Sequence, residues 1–363
     1  KHCESAAGTK ALLSQAMALN VIDADDTEWD AQPWKLNCIN GCIDLKAGAL
    51  LAPEPSDYIT KLCPVNYEPD AEAPRWLQFL DEVFNGDQEL IDYIQWMCGY
   101  ALTGDTSQDA FFILYGTGAN GKSTFVCALQ YILGPDYAQQ INPEELMMQH
   151  NARHSTEMAA LEGARLVVAV ETSEGRRLNE ALIKSLTGGD KIRARFMRMD
   201  AFEFTPQLKL MMGTNHKPVI RDTSNGMWRR IRLIPFTQTF EGKQRDTGLA
   251  KALQKEAPGI LAWAVKGAMK ATHGEAPVPA IVQAETDAYR QDEDLLKMFI
   301  AEKCVESSKA QCGKRELYHA FREHCDGHCA GERAVNQRMK ALGYQDKRMT
   351  GGCNAWIGIG LQD

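Results

Sequence analysis

The residues with the clearest chemistry lie in Gly116-Thr117-Gly118-Ala119-Asn120-Gly121-Lys122-Ser123-Thr124. The spacing is G-x-x-x-x-G-K-[ST], a pattern that wraps phosphate. Its glycines let backbone N–H groups turn inward around phosphate oxygens, and a following helix N-terminus adds partial positive charge. Lys122 would reach the β- and γ-phosphates, and the hydroxyl of Ser123, with Thr124 beside it, would bind Mg²⁺. The expected cofactors are therefore ATP and Mg²⁺. The bland alternative is a glycine-rich turn that holds no nucleotide. The loop specifies binding and leaves open what the energy does.

Three further groups suit phosphate chemistry. Glu171 ends the apolar run Leu166-Val-Val-Ala-Val170, and a carboxylate at a strand end suits a Mg²⁺ ligand or a base that positions water. Glu174 is a weaker candidate for the same work, and a plain surface acid is the alternative for both. Asn215 follows Leu208-Lys-Leu-Met-Met212 and can orient water or sense the γ-phosphate. Arg229 and Arg230, paired with nothing acidic adjacent, suit an arginine finger offered to a neighbour's nucleotide; the alternative is a surface salt bridge. His324, Cys325, His328 and Cys329 cluster near the C-terminus without paired C-x₂-C spacing, so helix packing competes with zinc. The same holds for Cys38 and Cys42.

These groups need elements to hold them. Phe111–Tyr115 reads as a strand entering the phosphate loop, and a helix leaves it with Phe125, Ala128, Leu129 and Ile132 on one face. Apolar runs at Phe111–Tyr115, Arg165–Val170, Leu208–Met212 and Ile231–Phe236 alternate with helical stretches. That alternation predicts an α/β sheet covered on both faces. Between the second and third runs, Leu178–Arg195 predicts a helix stopped at Gly188-Gly189 and then a strand. Met197–Asp200 forms a hairpin tip, and Ala201–Phe204 returns. Lys191, Arg195 and Arg198 make this hairpin basic, which suits a nucleic-acid backbone.

Upstream, the pattern predicts a helix over Lys10–Leu19, an acidic loop at residues 23–26 and short strands within Leu36–Leu51. A connector carrying Pro64, Pro69 and Pro74 leads to helices at Trp76–Phe84 and Gln88–Leu102. Downstream, residues 249–270 read as helical and Pro277–Pro279 as a break. Residues 285–363 predict helices near Asp294–Cys304, Lys314–Cys325 and Ala334–Leu342, then a glycine-turned hairpin, the shape of a winged helix. Arg333, Arg338, Lys340, Lys347 and Arg348 there fit DNA contact or a solvated face. The expected units are residues 1–109, 110–275 and 285–363.

The 363 residues are 44% hydrophobic and 24% charged, which excludes a disordered or fibrous chain. The net charge of −8 argues against a general nucleic-acid coat, yet Lys184–Arg232 holds eleven Lys/Arg against four Asp/Glu. A basic segment in an acidic chain suggests one local polyanion site. No apolar run approaches the ~18 residues of a membrane span. Eleven cysteines without a scaffold pattern, and no secretory signal, suggest reduced thiols in a cytoplasm. The chain starts at Lys1 rather than Met, which reads as a piece of a longer polypeptide.

Taken in order, Gly116–Thr124, Arg165–Glu171, Leu178–Arg195, Phe202–Asn215 and Trp228–Phe236 resemble the superfamily 3 helicases, in particular the phage and plasmid primase–helicase family related to the poxvirus primase-helicase. Leu36–Leu45 and Gly99–Gly104 resemble the family's helical region ahead of the ATPase. The resemblance implies an AAA+-type ATPase core with an N-terminal helical domain and a C-terminal winged-helix-like domain. It implies a ring, usually a hexamer, that moves 3′→5′ on single-stranded DNA and unwinds forked or origin duplex in a bacterial host cell. By position, Lys122 and Ser123 hold phosphate and Mg²⁺, Glu171 takes the acid motif, Asn215 the sensor, and Arg229 or Arg230 the trans finger. Lys191, Arg195 and Arg198 fall in the DNA-contacting hairpin. Many members carry two adjacent acids where this chain has Glu171 followed by Thr172. Full-length members often carry a primase domain upstream, and nothing here resembles one. Two other functions fit a phosphate loop: a nucleotide-gated adaptor or loader with little turnover, and a small-molecule kinase, which would leave the arginine pair and hairpin without a role.

Overall fold

The structure is a computed structural model that describes residues 5–18, 29–149, 155–170, 175–222, 224–242, 245–325, 331–348 and 354–362. The chain opens with α1 (Ala6–Ala18), followed by an antiparallel sheet of β1 (Lys35–Cys38), β2 (Gly41–Asp44) and β3 (Ala49–Leu51). Then come α2 (Pro74–Phe84), with proline at its first turn, and α3 (Gln88–Leu102), whose N-cap Asp87 accepts from the Leu90 N–H at 3.0 Å.

The centre is a parallel sheet in the order β10-β4-β9-β6-β5, formed by β4 (Phe111–Tyr115), β5 (Ala138–Gln140), β6 (Leu166–Val170), β9 (Lys209–Thr214) and β10 (Ile231–Pro235). Its connections carry α4 (Lys122–Tyr137), α5 (Ser155–Ala159), α6 (Glu180–Thr187), the hairpin β7 (Ile192–Ala194) and β8 (Phe202–Phe204), and α7 (Asn225–Trp228). Strands β4 and β6 are apolar apart from the Tyr115 hydroxyl because each face is covered. Phe112, Leu114, Val168 and Met211 enter one core, while Phe111, Ile113, Val167 and Met212 enter the other.

The first of these cores also contains Leu36, Trp76, Trp96 and Leu261. The upstream segment thus packs directly on the sheet, and α8 (Leu249–Lys255) and α9 (Ala257–Ala271) complete the layer. The helical stretch expected over 249–270 breaks at Glu256, whose carboxylate accepts from the N–H groups of Arg75 at 3.0 Å and Trp76 at 2.9 Å. It satisfies the otherwise unpartnered first turn of α2. Helices α3 and α9 cross at backbone contact: a Cβ on Gly99 would lie 2.0 Å from Ala268 N, and one on Gly267 would lie 1.9 Å from Gln95 O.

Two buried cations fasten the N-terminal ends of β6 and β9 to the end of α3. Arg165 donates to the carbonyls of Leu102 (2.6 Å) and Gln32 (3.0 Å), and Lys209 donates to those of Thr103 and Asp105. Burial lowers the pKa of both side chains. The carbonyl end of a helix supplies the opposing partial charge.

Helix α10 (Ala280–Asp292) packs on β10, with the Leu233 N–H donating to Thr286 Oγ1 at 3.1 Å, although the C-terminal unit was expected from residue 285. Beyond it lie α11 (Leu295–Lys303), β11 (Cys304–Gly313), α12 (Lys314–His324), α13 (Glu332–Ala341), β12 (Gln345–Arg348) and β13 (Asn354–Leu361). The three expected helices are present, and β11 is an addition that the sequence pattern did not reveal. It pairs antiparallel with β13 in a sheet ordered β11-β13-β12 around Phe299, Leu317, Met339 and Trp356.

Candidate nucleotide cleft and basic hairpin

Strand β4 delivers the chain to the glycine loop, and α4 begins at Lys122, so the helix N-terminus faces whatever the loop encloses. Gly118 (φ 116°), Ala119 (φ 50°) and Gly121 (φ 84°) all lie in the left-handed region. That backbone turns N–H groups toward the loop interior, at a cost of roughly 1 kcal/mol at the alanine. Helix α2 presses on the loop from outside. A Cβ on Gly121 would meet Val83 at 3.0 Å and Phe79 at 3.1 Å.

Asn120 fixes the loop to the segment after β10. It is only 3% exposed; its Oδ1 accepts from the Gly118 N–H at 2.5 Å, and its Nδ2 donates to the Gln238 carbonyl at 2.7 Å. The Phe240 N–H adds a bond to the Ala119 carbonyl at 2.8 Å. Lys122 is 8% exposed, and its Nζ donates to Gly116 O at 2.7 Å and to Asn215 Oδ1 at 3.0 Å. Burial lowers its pKa. Two groups distant in sequence therefore meet over the loop, because β4 and β9 are neighbours.

A cleft of about 740 Å³ opens here. Gly118–Thr124, Val170 and Asn215 form its floor. Arg75, Phe79 and Glu82 of α2 form one wall, and Phe240, Arg245, Asp246 and Leu249 form the other. The Arg75 guanidinium spans the mouth to Asp246 at 3.4 Å. These wall residues escaped the sequence reading, since α2 showed only the periodicity of a core helix. Glu171 and Glu174 lie outside the described residues; β6 brings Val170, the residue before Glu171, to the cleft.

Arg229 and Arg230 do not line this cleft. The expectation that nothing acidic stands beside them is corrected in space: Asp109 sits 2.8 Å from Arg229 Nη2 and 3.2 Å from Arg230 Nη2. The reason is register. Asp109 precedes β4, the arginines precede β10, and the two strands pair. Arg230 also donates to Thr187 Oγ1 (3.1 Å) and Gly226 O (2.7 Å) and is 8% exposed, so its guanidinium is committed inside this chain. Arg229 keeps 64% of its side chain exposed.

The β7–β8 hairpin roots in the core through Ile192, Ala194 and Phe204, and its tip stands clear of the sheet. Lys191, Arg195 and Arg198 are exposed on it, Arg198 with φ 62° at the turn. In the C-terminal part, Arg338 is held by Asp294 at 2.6 Å, whereas Arg333 and Lys340 are exposed on α13, the latter 3.4 Å from Asp346. Lys347 is exposed on β12, and the Arg348 side chain is outside the described residues. His324 lies against Phe299, and His328 and Cys329 are outside the described residues. Cys38 donates to Gly41 O at 3.0 Å, and burial raises the pKa of Cys38 and Cys42, as expected of packing thiols. Among the described residues no three His, Cys, Asp or Glu side chains converge as a metal site, and no helix is long and apolar enough to cross a membrane.

Comparison with known proteins adds the lineage. Residues 1–85 match the family described as "D5 N terminal like", and residues 114–230 match a family of unknown function, DUF5906. "Putative helicase L207/L206" of Acanthamoeba polyphaga mimivirus is 29% identical over 313 residues, covering 78% of this chain and 32% of that protein. "Putative helicase 022R" of Frog virus 3 is 29% identical over 231 residues (57% and 23%). "Putative primase C962R" of African swine fever virus is 25% identical over 283 residues (71% and 29%). The chain thus spans about a third or less of these relatives' length. Among solved structures, the apo C-terminal region of NrS-1 is similar at a TM-score of 0.49 and 15% identity, over 97% of this chain and 90% of that one. The D5-like N-terminal match, which runs into the α2 wall of the cleft, and the relatives named as helicases and primases point the same way: what this chain is similar to are viral primase–helicase proteins.

Proposed function

We propose that this chain is the ATP-driven motor of a replicative DNA helicase, an AAA+-type core of superfamily 3 that acts as a ring. The observation that carries the reading is Lys122 Nζ meeting Asn215 Oδ1 at 3.0 Å above the left-handed loop. A cation and an amide at adjacent strand ends are what the outer phosphate of a nucleotide requires. The loop's inward N–H groups, Lys122 and the exposed hydroxyl of Ser123 fit ATP with Mg²⁺ in their donor chemistry. Bound there, MgATP supplies the phosphoanhydride whose hydrolysis drives motion.

The chain's own residues divide the rest of the work. Lys122 neutralises charge on the transferred phosphoryl, and Ser123 offers its hydroxyl to the metal. Asn215 orients the attacking water, and Glu171 accepts its proton. Arg229, exposed beside its buried partner Arg230, is the better finger for a neighbour's site, since Arg230 is already bonded on three sides. Lys191, Arg195 and Arg198 grip the phosphates of single-stranded DNA at a fork or origin. The order α11-β11-α12-α13-β12-β13 supports the winged-helix reading of the C-terminal part. The greater length of the relatives leaves room for an upstream primase domain.

The test is ATP hydrolysis with and without single-stranded DNA, with particle size read on the same sample. The motor reading expects a large assembly whose turnover rises with DNA and vanishes in Lys122→Ala. A nucleotide-binding particle with negligible turnover in the presence of DNA would overturn it in favour of the adaptor.

A further inference from the structure

The two most exposed large apolar side chains among the described residues are Met197 (76%) and Met199 (64%). Both sit at the tip of the β7–β8 hairpin. Isolated exposed apolar residues are common on any surface, but these share one turn and are backed by rings. Phe196, itself 38% exposed, stacks on Phe202 with centroids 5.7 Å apart and planes at 19°, and Phe202 lies 6.0 Å from Phe204. The ladder runs from solvent to the buried Phe204, so the tip is propped from behind. Nothing in the phosphate-gripping role of the neighbouring cations uses this surface.

We infer that Met197 and Met199, supported by Phe196, contact the bases of a single strand, while Lys191, Arg195 and Arg198 hold its phosphates; the inference rests on the motor reading above. The occupant follows from what surrounds the tip. Lys191, Arg193, Arg195 and Arg198 outnumber Asp200 and Glu203 along the hairpin, which selects a polyanion. A polyanion that also offers flat, polarizable faces is an unpaired nucleic-acid strand. Thioethers adapt to any base face, so the contact would be tolerant of sequence, as a translocating grip requires. Arg198 lies between the two methionines in left-handed backbone, which sets cation and thioethers side by side on one turn.

The experiment uses the full chain and two fluorescent strands of about 20 nucleotides, one of mixed sequence and one abasic, with the same phosphates and no bases. Binding is followed by anisotropy over a salt series. The wild type should prefer the base-bearing strand by about tenfold. Met197→Ala with Met199→Ala should bring the two affinities together while leaving abasic binding in place. Met197→Trp, which enlarges the stacking face, should widen the preference and guards against reading a folding defect as lost contact. Arg195→Ala with Arg198→Ala should weaken both strands alike. An unchanged preference in the methionine variant, with both affinities falling in the arginine variant, overturns the base contact and leaves the hairpin reading standing. Unchanged binding in both variants, or no binding by the wild type, overturns both.

Discussion

The nucleotide cleft and the hairpin tip are held in opposite ways. In the cleft the loop lysine and the asparagines beside it are bonded within the chain: Lys122 to Gly116 and Asn215, Asn120 to Gly118 and Gln238, and the loop itself wedged against Phe79 and Val83. At the tip the side chains of Met197, Arg198 and Met199 are exposed on a turn rooted by three buried residues. Chemistry on a phosphoryl group needs fixed geometry, because a misplacement of about 1 Å costs on the order of a hundredfold in rate. A grip on a moving strand needs reach and tolerance. On the proposed motor reading, one sheet would serve both by placing the first at strand ends and the second beyond them.

The largest effect should come from Lys122→Ala. It removes the cation that fills the cleft floor and, on the proposed reading, would face the phosphates, and turnover should fall by on the order of a hundredfold or more in a steady-state ATPase assay. A mild loss would show that the cleft is less committed than its bonding suggests. Next, the arginine pair divides along the same line between wired and exposed. Arg230→Ala takes the donor from the Thr187 hydroxyl and the Gly226 carbonyl and leaves Asp109 to Arg229 alone, and should cost about 2 kcal/mol, visible as a drop in melting temperature. Arg229→Ala should leave the melting temperature within the range of an ordinary surface change, about 0.5 kcal/mol. Equal destabilisation would erase the distinction.

At the hairpin, Arg195→Ala with Arg198→Ala should lower the salt dependence of single-strand binding by a slope of about 2, one for each lost phosphate contact. The smallest effect is chemical. Cys127 is exposed on α4, whereas the buried Cys63 thiol is pushed up to about 12. A maleimide should label the first well before the second, as mass mapping would show.

Much of this was legible in the sequence. The five-residue apolar runs marked the strands because burial on both faces demands them, and Gly116–Thr124 marked the loop because its left-handed backbone at Gly118 and Gly121 calls for glycine. The hairpin was legible from turn and charge. The cleft walls were not: Arg75, Phe79 and Asp246 reach the site only through packing of α2 and α8, which no local pattern encodes. Asp109 beside the arginines was hidden for the same reason, since a sheet neighbour is a long-range fact. β11 was hidden because its polar run, Glu306-Ser-Ser-Lys-Ala-Gln311, lacks the alternation that marks a strand.

The backbone contact of α3 with α9 reaches into the gene's history. Gly99 and Gly267 admit no side chain, Glu256 caps a helix from far upstream, and both flanking segments wall the cleft. A recombination that exchanged only residues 110–240 between relatives would bring together flanks fitted to different surfaces. The span from Gln32 to the end of α10 must therefore be inherited as one block, with crossovers tolerated only outside it. Mosaic genomes among its relatives should carry their breakpoints before Gln32 or after Asp292.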